Sequence, residues 1–580
     1  MNKLKWWQKT IVYQVYPKSF LDTTGTGQGD IPGITRRLDY LKTLGVGAIW
    51  LTPVYPSPMV DNGYDISNYT DIDPSYGTLD DMDELIAEAK KRDIRIVMDL
   101  VFNHSSDQHA WFLESRQSRD NAKSDWYIWR DAKPDGSAPT NWRSIFGGSA
   151  WTWCEERQQY YLHTFAPQQP DLNWENPDVR QALYDAANFW LDRGVGGFRI
   201  DAIVYIKKPA EFKDYEPDGP DGLKSIHDVI ANTPGILDFL HEFRANVFDG
   251  HDIFTVGEAN GVPPEHLDQW VGDQGVFSML FEFSHMNVAF PDGEKWSHAR
   301  KFPLTALKQA LSDSQKATAQ NGWYPIFFEN HDQPRAIDKF FRINYGERVE
   351  PQRAAKVIAT VLMTLRGTPF VFEGEELGLD NVAWPDIEDY NDISSHGQYD
   401  LAIQEGFTKS QAMDAVHHFS RDNARTPMQW SGEQHEAGFT SGTPWLPVHS
   451  DYRYQNVESE STDAGSVLSY YRQLARLRLG KCTKLGDDAA LAGDILQAGD
   501  YEELLTTDES IYAFRRQLPG STDSIVTIVN FSPDLVVYPR ELTEQGRLIM
   551  ANNVGRESEP QPGSLPGFGA AIYLIKGATA

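Results

Sequence analysis

The chain has 580 residues and a formal charge of −30, from 53 lysines and arginines against 83 aspartates and glutamates. This length predicts two or three domains rather than one. The negative charge argues against nucleic acid and anionic membranes as partners, because both would repel it. Cys154 and Cys482 are the only cysteines, so no disulfide framework is expected.

The N-terminal residues, MNKLKWWQKTIVYQ, contain neither the apolar core nor the small-residue cleavage site of a secretory signal peptide. No stretch approaches the about 18 apolar residues that a membrane-spanning helix needs. We therefore expect a cytoplasmic protein without a membrane partner, and we favour a monomer.

Short apolar runs alternate with helical patterns through most of the chain. Ile34, Leu38, Leu41 and Leu44 fall on one face of a helix that Gly45 can end. Further helices are predicted around 82–89, 178–193 and 465–480. Eight runs rich in β-branched and aromatic residues are predicted strands: 11–16, 47–51, 94–100, 196–201, 252–257, 276–281, 324–328 and 368–373. Eight such βα units predict an α/β fold of the (β/α)8 barrel type.

Two regions depart from this alternation. Residues 104–174 are rich in Trp, Gly, Asn and Pro and lack a long periodicity, which predicts an insertion domain after the third strand. The catalytic barrel would then comprise 1–103 and 175–483. Beyond it, the runs 511–516, 524–531, 546–550 and 570–575 predict an all-β tail, which we expect to be a C-terminal β-sandwich domain over 484–580.

Polar residues end four of the predicted strands, where the active site of such a barrel lies. A single Asp in such a place is usually a helix cap or turn residue, and an Arg-x-Asp pair is usually a structural ion pair. Several carboxylates at one end of one barrel are harder to explain in that way. The residues concerned are Asp99 with Asn103 and His104, Arg199 with Asp201, Glu258, and the run from Glu329 to Asp332.

This set suits the cleavage of a glycosidic bond. A retaining hydrolase needs an ionised carboxylate as nucleophile and a protonated one about 5–5.5 Å away as acid. Arg199 and Asp201 point the same way from their strand, so Arg199 is expected to lower the pKa of Asp201 and favour the anion. Glu258 has no basic neighbour in sequence, and we expect its surroundings to raise its pKa as an acid requires. Asp332 would bind sugar hydroxyls and favour the distorted ring.

Metal binding is the competing use of such residues. His104 and His331 lack the H-x-x-x-H spacing typical of zinc sites, and the two cysteines form no C-x-x-C motif. We therefore expect no metal and no cofactor, with both histidines donating hydrogen bonds to sugar hydroxyls.

Four motifs in order, MDLVFNH (98–104), GFRIDA (197–202), VGEA (256–259) and ENHD (329–332), resemble the signature regions of glycoside hydrolase family 13, the α-amylase family. The resemblance spans the whole chain. It implies that Asp201 is the nucleophile, Glu258 the acid/base and Asp332 the transition-state stabiliser. It also implies that three further residues contact sugar: Arg199, His104 and His331.

QPDLNW (169–174) and SRDNARTPMQW (420–430) are similar to motifs of the oligo-1,6-glucosidase subgroup. In that subgroup the Asp and Tyr of DNGYD, here Asp61 and Tyr64, hold the terminal glucose with an Arg that matches Arg425. An Asp61–Arg425 ion pair would close the pocket and admit only chain ends. Gln169 and Phe165 are further candidates for the pocket lining. The implied activity is release of glucose from isomalto- and malto-oligosaccharides.

Two positions depart from the subgroup. Its calcium loop has the form D-x-N-x-D-G-x-G-D, whereas this chain has DTTGTGQGD, in which Thr24 and Thr26 replace oxygen-rich ligands between Asp22 and Asp30. The loss of ligand charge predicts no calcium requirement. Ala202, after the nucleophile, is neither the Val that accompanies α-1,6 preference nor the Thr that accompanies α-1,4 preference, so linkage stays open.

A trehalose-6-phosphate hydrolase of the same family is the nearest alternative. Those enzymes typically carry a Lys where this chain has Asn287, a Met at Ala259 and an Ala at Pro170, although Lys295 is retained. Sucrose isomerases are less similar, because RAIDKFF (335–341) replaces their arginine-rich segment. A transporter heavy subunit or a purely sugar-binding protein is disfavoured, since neither needs a paired acid and nucleophile.

Overall fold

The computed structural model describes residues 4–272, 274–291, 293, 295–320, 322–552 and 561–577. Its main sheet has eight parallel strands in a barrel, which confirms the predicted (β/α)8 architecture. The strands are β1 (Val12–Val15), β2 (Ala48–Leu51), β3 (Arg95–Val101), β4 (Gly197–Asp201), β5 (Phe254–Glu258), β6 (Met279–Phe281), β7 (Pro325–Ile326) and β8 (Thr368–Phe372). β1 pairs with β2 on one side and with β8 on the other. β6 contacts β7, and the ring of Phe281 in β6 lies 4.9 Å from that of Phe327, which directly follows β7.

The barrel strands are apolar because helices cover them on the outside and side chains fill them on the inside. Every residue of β1, β2, β4 and β8 is buried. Inside the barrel, the Trp50 ring packs against Phe281 at 5.7 Å and Phe370 at 6.4 Å between ring centroids. The barrel is therefore a packed core, and its chemistry is confined to its ends.

Amphipathic helices surround the barrel. In the helix Leu79–Lys91, the predicted apolar positions Met82, Leu85, Ile86 and Ala89 are all buried. The α-helices elsewhere in the barrel and its loops are Pro17–Phe20, Ile31–Arg36, Leu38–Leu44, Pro177–Asp192, Ile226–Ile230, Ile236–Phe243, Leu267–Trp270, Leu304–Ala317, Ile343–Tyr345, Pro351–Thr364, Ile393–Gln404, Lys409–Phe419, Asp422–Arg425, Val457–Thr462 and Val467–Arg478.

The first predicted helix is divided into two. Asp30 caps the helix Ile31–Arg36 by accepting the Gly33 N–H at 2.7 Å, so this helix begins earlier than its apolar pattern indicates. Arg37, with φ −103° and ψ 7°, then breaks the helical path before Leu38–Leu44 begins. Gly45 ends the second helix in the left-handed conformation, at φ 101°, as predicted.

The insertion after β3 carries a helix, Ala110–Ser115, and a small antiparallel sheet made of Trp129–Arg130, Gln159–Leu162 and Trp151–Cys154. A further strand, Trp142–Arg143, pairs in parallel with Lys224–Ser225, which follows β4. The insertion is therefore anchored on the loop after the fourth strand as well as on the third.

The C-terminal sheet is antiparallel and has the order β9-β10-β11-β13-β12. Its strands are β9 (Asp500–Leu504), β10 (Ile511–Gln517), β11 (Ser524–Asn530), β12 (Gly546–Ala551) and β13 (Ala570–Ile575). The short strands Val536–Val537 and Ser564–Leu565 form a separate pair. The helix Asp488–Ala498 and the edge strand β9 were not predicted from the sequence. Among the described residues, no helix combines the length and apolar character needed to cross a bilayer.

Candidate active site

The predicted catalytic residues lie at the C-terminal ends of neighbouring strands. Asp99 of β3 pairs in register with Arg199 of β4, and Arg199 in turn pairs with Val256 of β5. Asp201 and Glu258 end β4 and β5. Parallel pairing thus brings residues that are about 50 to 150 positions apart in sequence to one edge of the barrel.

Arg199 holds three carboxylates around one guanidinium group. Its Nη1 lies 2.9 Å from Asp99 Oδ1 and 2.7 Å from Asp201 Oδ1, and its Nη2 bonds to Glu258 Oε2. The Arg199 side chain is only 2 % exposed. The cluster therefore carries two more carboxylates than cations in a site shielded from water, which favours the retention of a proton.

The pKa of Asp201 moves in the direction opposite to the sequence-based expectation. Burial raises it well above its usual range; Arg199 opposes this, but Glu258 and Asp99 raise the pKa further. Burial also raises the pKa of Asp99, to about 6. Arg199 does lower the pKa of Asp201, as expected, but burial and the other carboxylates outweigh it. The net direction was missed because the sequence reveals the adjacent Arg199 but neither the depth of the site nor the other two carboxylates.

Ala202 has a strained backbone beside the nucleophile candidate. Its φ of 45° and ψ of 32° are left-handed, a conformation that residues other than Gly, Asn and Asp seldom adopt. In this conformation the Ala202 N–H donates a 3.2 Å hydrogen bond to Glu258 Oε2. Strain at this turn thus helps to fix Glu258 next to Asp201.

Asp332 is held by two arginines and a histidine. Its Oδ1 lies 3.0 Å from both Arg421 Nη1 and Arg425 Nη2, and its Oδ2 lies 3.1 Å from His331 Nε2. Burial alone would raise the pKa of Asp332, but His331 and the two arginines together lower it. Asp332 is therefore ionised, whereas burial lowers the pKa of His331 to about 3 and keeps this histidine neutral.

Asp61 is paired with Arg421, not with Arg425. Arg421 Nη2 lies 3.2 Å from Asp61 Oδ1 and also contacts Asp392 at 2.6 Å. Arg425 is directed towards Asp332 and donates a 2.8 Å hydrogen bond from Nε to the carbonyl of His331. The predicted Asp61–Arg425 pair is thus corrected to Asp61–Arg421. Arg421 directly precedes the short helix Asp422–Arg425, and Arg425 is its last residue, so the sequence alone does not indicate which of them reaches Asp61.

The remaining pocket candidates are linked to one another. The Tyr64 hydroxyl lies 2.5 Å from His331 Nε2 and donates to Asp99 Oδ2 at 3.0 Å. Gln169 Nε2 donates to Asp61 Oδ2 at 3.2 Å and lies 3.2 Å from His104 Nε2. The ring of Phe165 packs on that of His104, with centroids 5.2 Å apart. The insertion thereby completes one wall of the site.

A cavity of about 960 Å³ opens at this end of the barrel. Seven of the predicted residues line it: Asp61, Tyr64, His104, Phe165, Asp201, Glu258 and Asp332. Four others lie behind the wall, each at most 2 % exposed, and support the lining residues: Gln169, Arg199, His331 and Arg425. His331 contacts Gln14, Tyr64 and Asp332 in this structure, and its hydrogen bond to sugar stays a prediction. Arg421, absent from the sequence-based candidates, lines the cavity.

Acidic residues dominate the cavity wall. Among the described residues, eight carboxylates line it, against three lysines and arginines. Each of these three cations has a carboxylate partner. Arg143 contacts Asp218 and, at 2.9 Å, Asp221, and Lys295 Nζ lies 2.7 Å from Glu405 Oε1. The third, Arg421, holds Asp61 as described above.

The loop after β1 does not offer the ligands of a calcium site. Both carboxylate oxygens of Asp22 accept hydrogen bonds, from the N–H groups of Thr24, Gly25 and Gly27 and from the hydroxyls of Thr24 and Thr440. Both Asp30 oxygens are likewise occupied, Oδ1 by the Gly33 N–H at the start of a helix and Oδ2 by the N–H and hydroxyl of Thr23. Hydrogen-bond donors thus stand where a cation would need free oxygens, and the residues do not fit a bound Ca²⁺.

Comparisons with known proteins agree with this geometry. The family description "Alpha amylase, catalytic domain" matches residues 14–485. An oligo-1,6-glucosidase of Parageobacillus thermoglucosidasius is 42% identical over 98% of this chain and 99% of its own length. A trehalose-6-phosphate hydrolase of Escherichia coli (strain K12) is 43% identical over 96% of each chain. The structure of an isomaltulose synthase mutant from Erwinia rhapontici NX5, in complex with sucrose, covers 100% of both chains with a TM-score of 0.90 and 36% identity.

These matches extend over nearly the full chain, far beyond the short signature motifs. The relatives include glucosidases, a phosphorylated-sugar hydrolase and a sucrose-converting enzyme, so the family is shown and the substrate is not. The chain belongs to the α-amylase family, glycoside hydrolase family 13, and is a glycoside hydrolase.

Proposed function

We propose that the protein is an exo-acting retaining α-glucosidase that releases glucose from the non-reducing ends of short isomalto- and malto-oligosaccharides. Asp201 is the nucleophile, Glu258 the acid/base and Asp332 the residue that stabilises the transition state. The observation that carries this proposal is the attachment of Asp201 and Glu258 to adjacent nitrogens of one Arg199 guanidinium.

This attachment favours retention over inversion. Inverting enzymes separate their carboxyl groups by about 6.5–9.5 Å to accommodate a water, whereas retaining enzymes keep them about 5–5.5 Å apart. Two carboxylates bonded to neighbouring nitrogens of one guanidinium are held close together. Asp201 Oδ1 is bonded to Arg199, which leaves the other carboxylate oxygen to attack the sugar.

The reaction then proceeds in two displacements. The proton that this carboxylate cluster retains has to lie on Glu258, so that Asp201 attacks the anomeric carbon as the anion. The glycosidic C–O bond breaks, and the leaving oxygen takes the proton from Glu258. Glu258 Oε2 already accepts bonds from Arg199 and from the Ala202 N–H, so Oε1 is the oxygen that carries this proton. In the second step water attacks the same carbon and returns a proton to Glu258, which frees glucose and Asp201.

Release from chain ends is supported by the closed end of the cavity. Asp61 and Arg421 are both buried and joined across the site, with Gln169 of the insertion bonded to the same Asp61 carboxylate. Extending a sugar chain past this point would require breaking a buried ion pair, which costs about 3–5 kcal/mol. The terminal glucose therefore has a pocket rather than a cleft.

An uncharged substrate is supported by the charge of the cavity wall. A phosphate would meet the eight carboxylates of the described wall, and each lysine or arginine that lines it is already paired. The trehalose-6-phosphate hydrolase relative keeps the phosphorylated disaccharide as the second candidate. Lys295 is the lysine that this chain retains from the sequence pattern of trehalose-6-phosphate hydrolases. It would have to leave Glu405 to bind the phosphate group.

A substrate panel tests the proposal. The kcat/KM for glucose release is measured on isomaltose, panose, maltose, sucrose, trehalose and trehalose-6-phosphate. We expect the best isomalto- or malto-substrate to exceed trehalose-6-phosphate by at least about tenfold, and we expect Asp201→Asn to abolish turnover of all six. A preference for the phosphorylated sugar would overturn the substrate assignment, and survival of activity in Asp201→Asn would overturn the mechanism.

A further inference from the structure

A second cavity, of about 710 Å³, lies at the opposite, N-terminal end of the barrel. Its wall includes residues at the starts of β2, β3 and β4 or just before them, namely Gly45 to Gly47, Ile94 to Ile96 and Gly194 to Gly196. It shares no lining residue with the catalytic cavity. In barrel enzymes this end does not carry the catalytic chemistry.

This basal cavity is basic although the chain is strongly acidic. Five cations line it, and Asp93 is its only carboxylate among the described lining residues: the cations are Lys9, Lys42, Lys90, Arg95 and Lys481. The protein as a whole has 53 lysines and arginines against 83 aspartates and glutamates. The basal cavity therefore has an excess of positive charge, whereas the chain as a whole has an excess of negative charge.

Three of the five cations are not neutralised by a neighbouring carboxylate. Lys42 lies 3.6 Å from Asp93, which is itself 94% exposed, and Arg95 lies 2.8 Å from Asp252. In the described part of the chain, no ion pair involves the other three cations, all exposed: Lys9, Lys90 and Lys481. At the catalytic end, by contrast, every lining lysine and arginine has such a partner.

Side chains rather than the backbone would hold an anion here. The N–H groups of Gly47, Arg95 and Gly196 donate to carbonyls of neighbouring strands at 3.0, 3.1 and 2.6 Å. The free cations come from different elements: Lys9 precedes β1, Lys90 is in the helix Leu79–Lys91, and Lys481 follows the helix Val467–Arg478. An anion that engages several of them has to carry charge at more than one place.

We propose that the basal cavity binds a small polyanion with two or more phosphate groups, of the inorganic polyphosphate or nucleoside triphosphate class. Its volume lies within the about 300–1,000 Å³ typical of small-molecule sites. The ligand would neutralise Lys9, Lys90 and Lys481 together and connect three elements around the barrel. Because it binds the folded state, it would raise the thermal stability of the enzyme.

The test measures binding of tripolyphosphate and of ATP to the full-length enzyme by calorimetry at low salt, together with the shift in Tm. Lys90→Glu/Lys481→Glu is compared with Lys301→Glu/Lys409→Glu, which makes the same charge change at two exposed lysines outside both cavities. Glucosidase activity of both variants reports that the fold is intact, since none of these lysines lies in the catalytic site.

We expect the wild type and the Lys301/Lys409 variant to bind with equal affinity, and the Lys90/Lys481 variant to bind at least about tenfold more weakly. Binding of ATP but not of tripolyphosphate would assign the site to nucleotides. Binding of both probes would show that the polyphosphate group itself is recognised. The proposal is overturned if neither probe binds the wild type, or if the two double variants lose affinity equally.

Discussion

The two ends of the barrel use positive charge in opposite ways. At the C-terminal end, three of the described lysines and arginines line the cavity with eight of the described carboxylates, and each of the three is bonded to at least one carboxylate of the wall or behind it. At the N-terminal end, five cations face one carboxylate and three of them have no such partner among the described residues. Cations at the first end fix the positions of carboxylates, whereas those at the second remain available to a ligand.

The difference matches the ligand that we propose for each cavity. A neutral sugar is bound by oriented hydrogen-bond donors and acceptors, so the catalytic end needs carboxylates in fixed positions more than it needs free charge. Ion pairs such as Asp61–Arg421 supply that rigidity. A polyanion needs free cations and tolerates mobility, and exposed lysines on separate elements supply both.

The largest effect is expected from removing a paired cation. Arg421→Met should lower kcat/KM on isomaltose by about 100-fold or more, because it leaves Asp61, Asp332 and Asp392 without a shared buried partner. Lys90→Met, which removes an unpaired cation at the other end, should leave kcat/KM unchanged. Similar losses in the two variants, measured by steady-state kinetics, would contradict the contrast between the two ends.

Glu460 is a buried carboxylate that forms no ion pair within the described part of the chain, and it should behave differently from the carboxylates of the active site. Glu460 is 6% exposed, accepts the Leu468 N–H at 3.0 Å, and burial raises its pKa to about 8. The folded state therefore holds its proton to higher pH than the unfolded chain does. The free energy of unfolding should fall as pH rises from about 4.5 to 8, by up to about 1.4 kcal/mol per pH unit from this group.

Urea unfolding at pH 6, 7 and 8 measures this contribution. Glu460→Gln should keep the hydrogen bond from Leu468 and lose this part of the pH dependence, so that its stability advantage over the wild type grows with pH. The assignment to Glu460 is wrong if both proteins lose stability with the same slope.

A smaller effect is expected from freeing a cation at the catalytic end. Glu405→Gln removes the charge partner of Lys295 and of His298, and it should raise the ratio of kcat/KM on trehalose-6-phosphate to that on isomaltose by about tenfold. Asp400→Asn is the matched control, because it removes a carboxylate from the same wall without releasing a lysine. Equal changes of this ratio in the two variants would mean that the net charge of the cavity wall, and not the release of Lys295, determines the preference for the phosphorylated sugar.

The smallest expected effect concerns calcium. The Asp22 oxygens in the loop after β1 are occupied by N–H and O–H donors, so addition of EDTA or of Ca²⁺ should change neither kcat nor Tm. A clear fall in Tm with EDTA, reversed by Ca²⁺, would show that this loop rearranges to bind the ion.

The barrel could be predicted because its signals are local. Each strand is a short β-branched or aromatic run, and a parallel sheet buried on both faces requires such runs. The edge strand β9, with sequence DYEEL, was missed because an exposed edge carries charged residues that resemble a loop. The division of the first helix at Arg37 was missed because apolar spacing continues across the break.

The sequence located the catalytic end of the barrel but did not reveal which side chains contact one another there. Strand ends identified Asp201, Glu258 and Asp332, since the geometry of a barrel brings strand ends together. The partner of Asp61 could not be identified, because Arg421 and Arg425 differ by about one helical turn and the contact spans 360 residues. The rise in the pKa of Asp201 was missed because it depends on burial, which only the structure reveals.

The most direct test of the two-step mechanism at Asp201 is the anomeric form of the first product. Proton NMR during the first minutes of isomaltose hydrolysis separates α-glucose from β-glucose before they interconvert. Two displacements at the anomeric carbon predict that α-glucose appears first. Initial release of β-glucose would show a single displacement by water and would contradict the assignment of Asp201 as nucleophile.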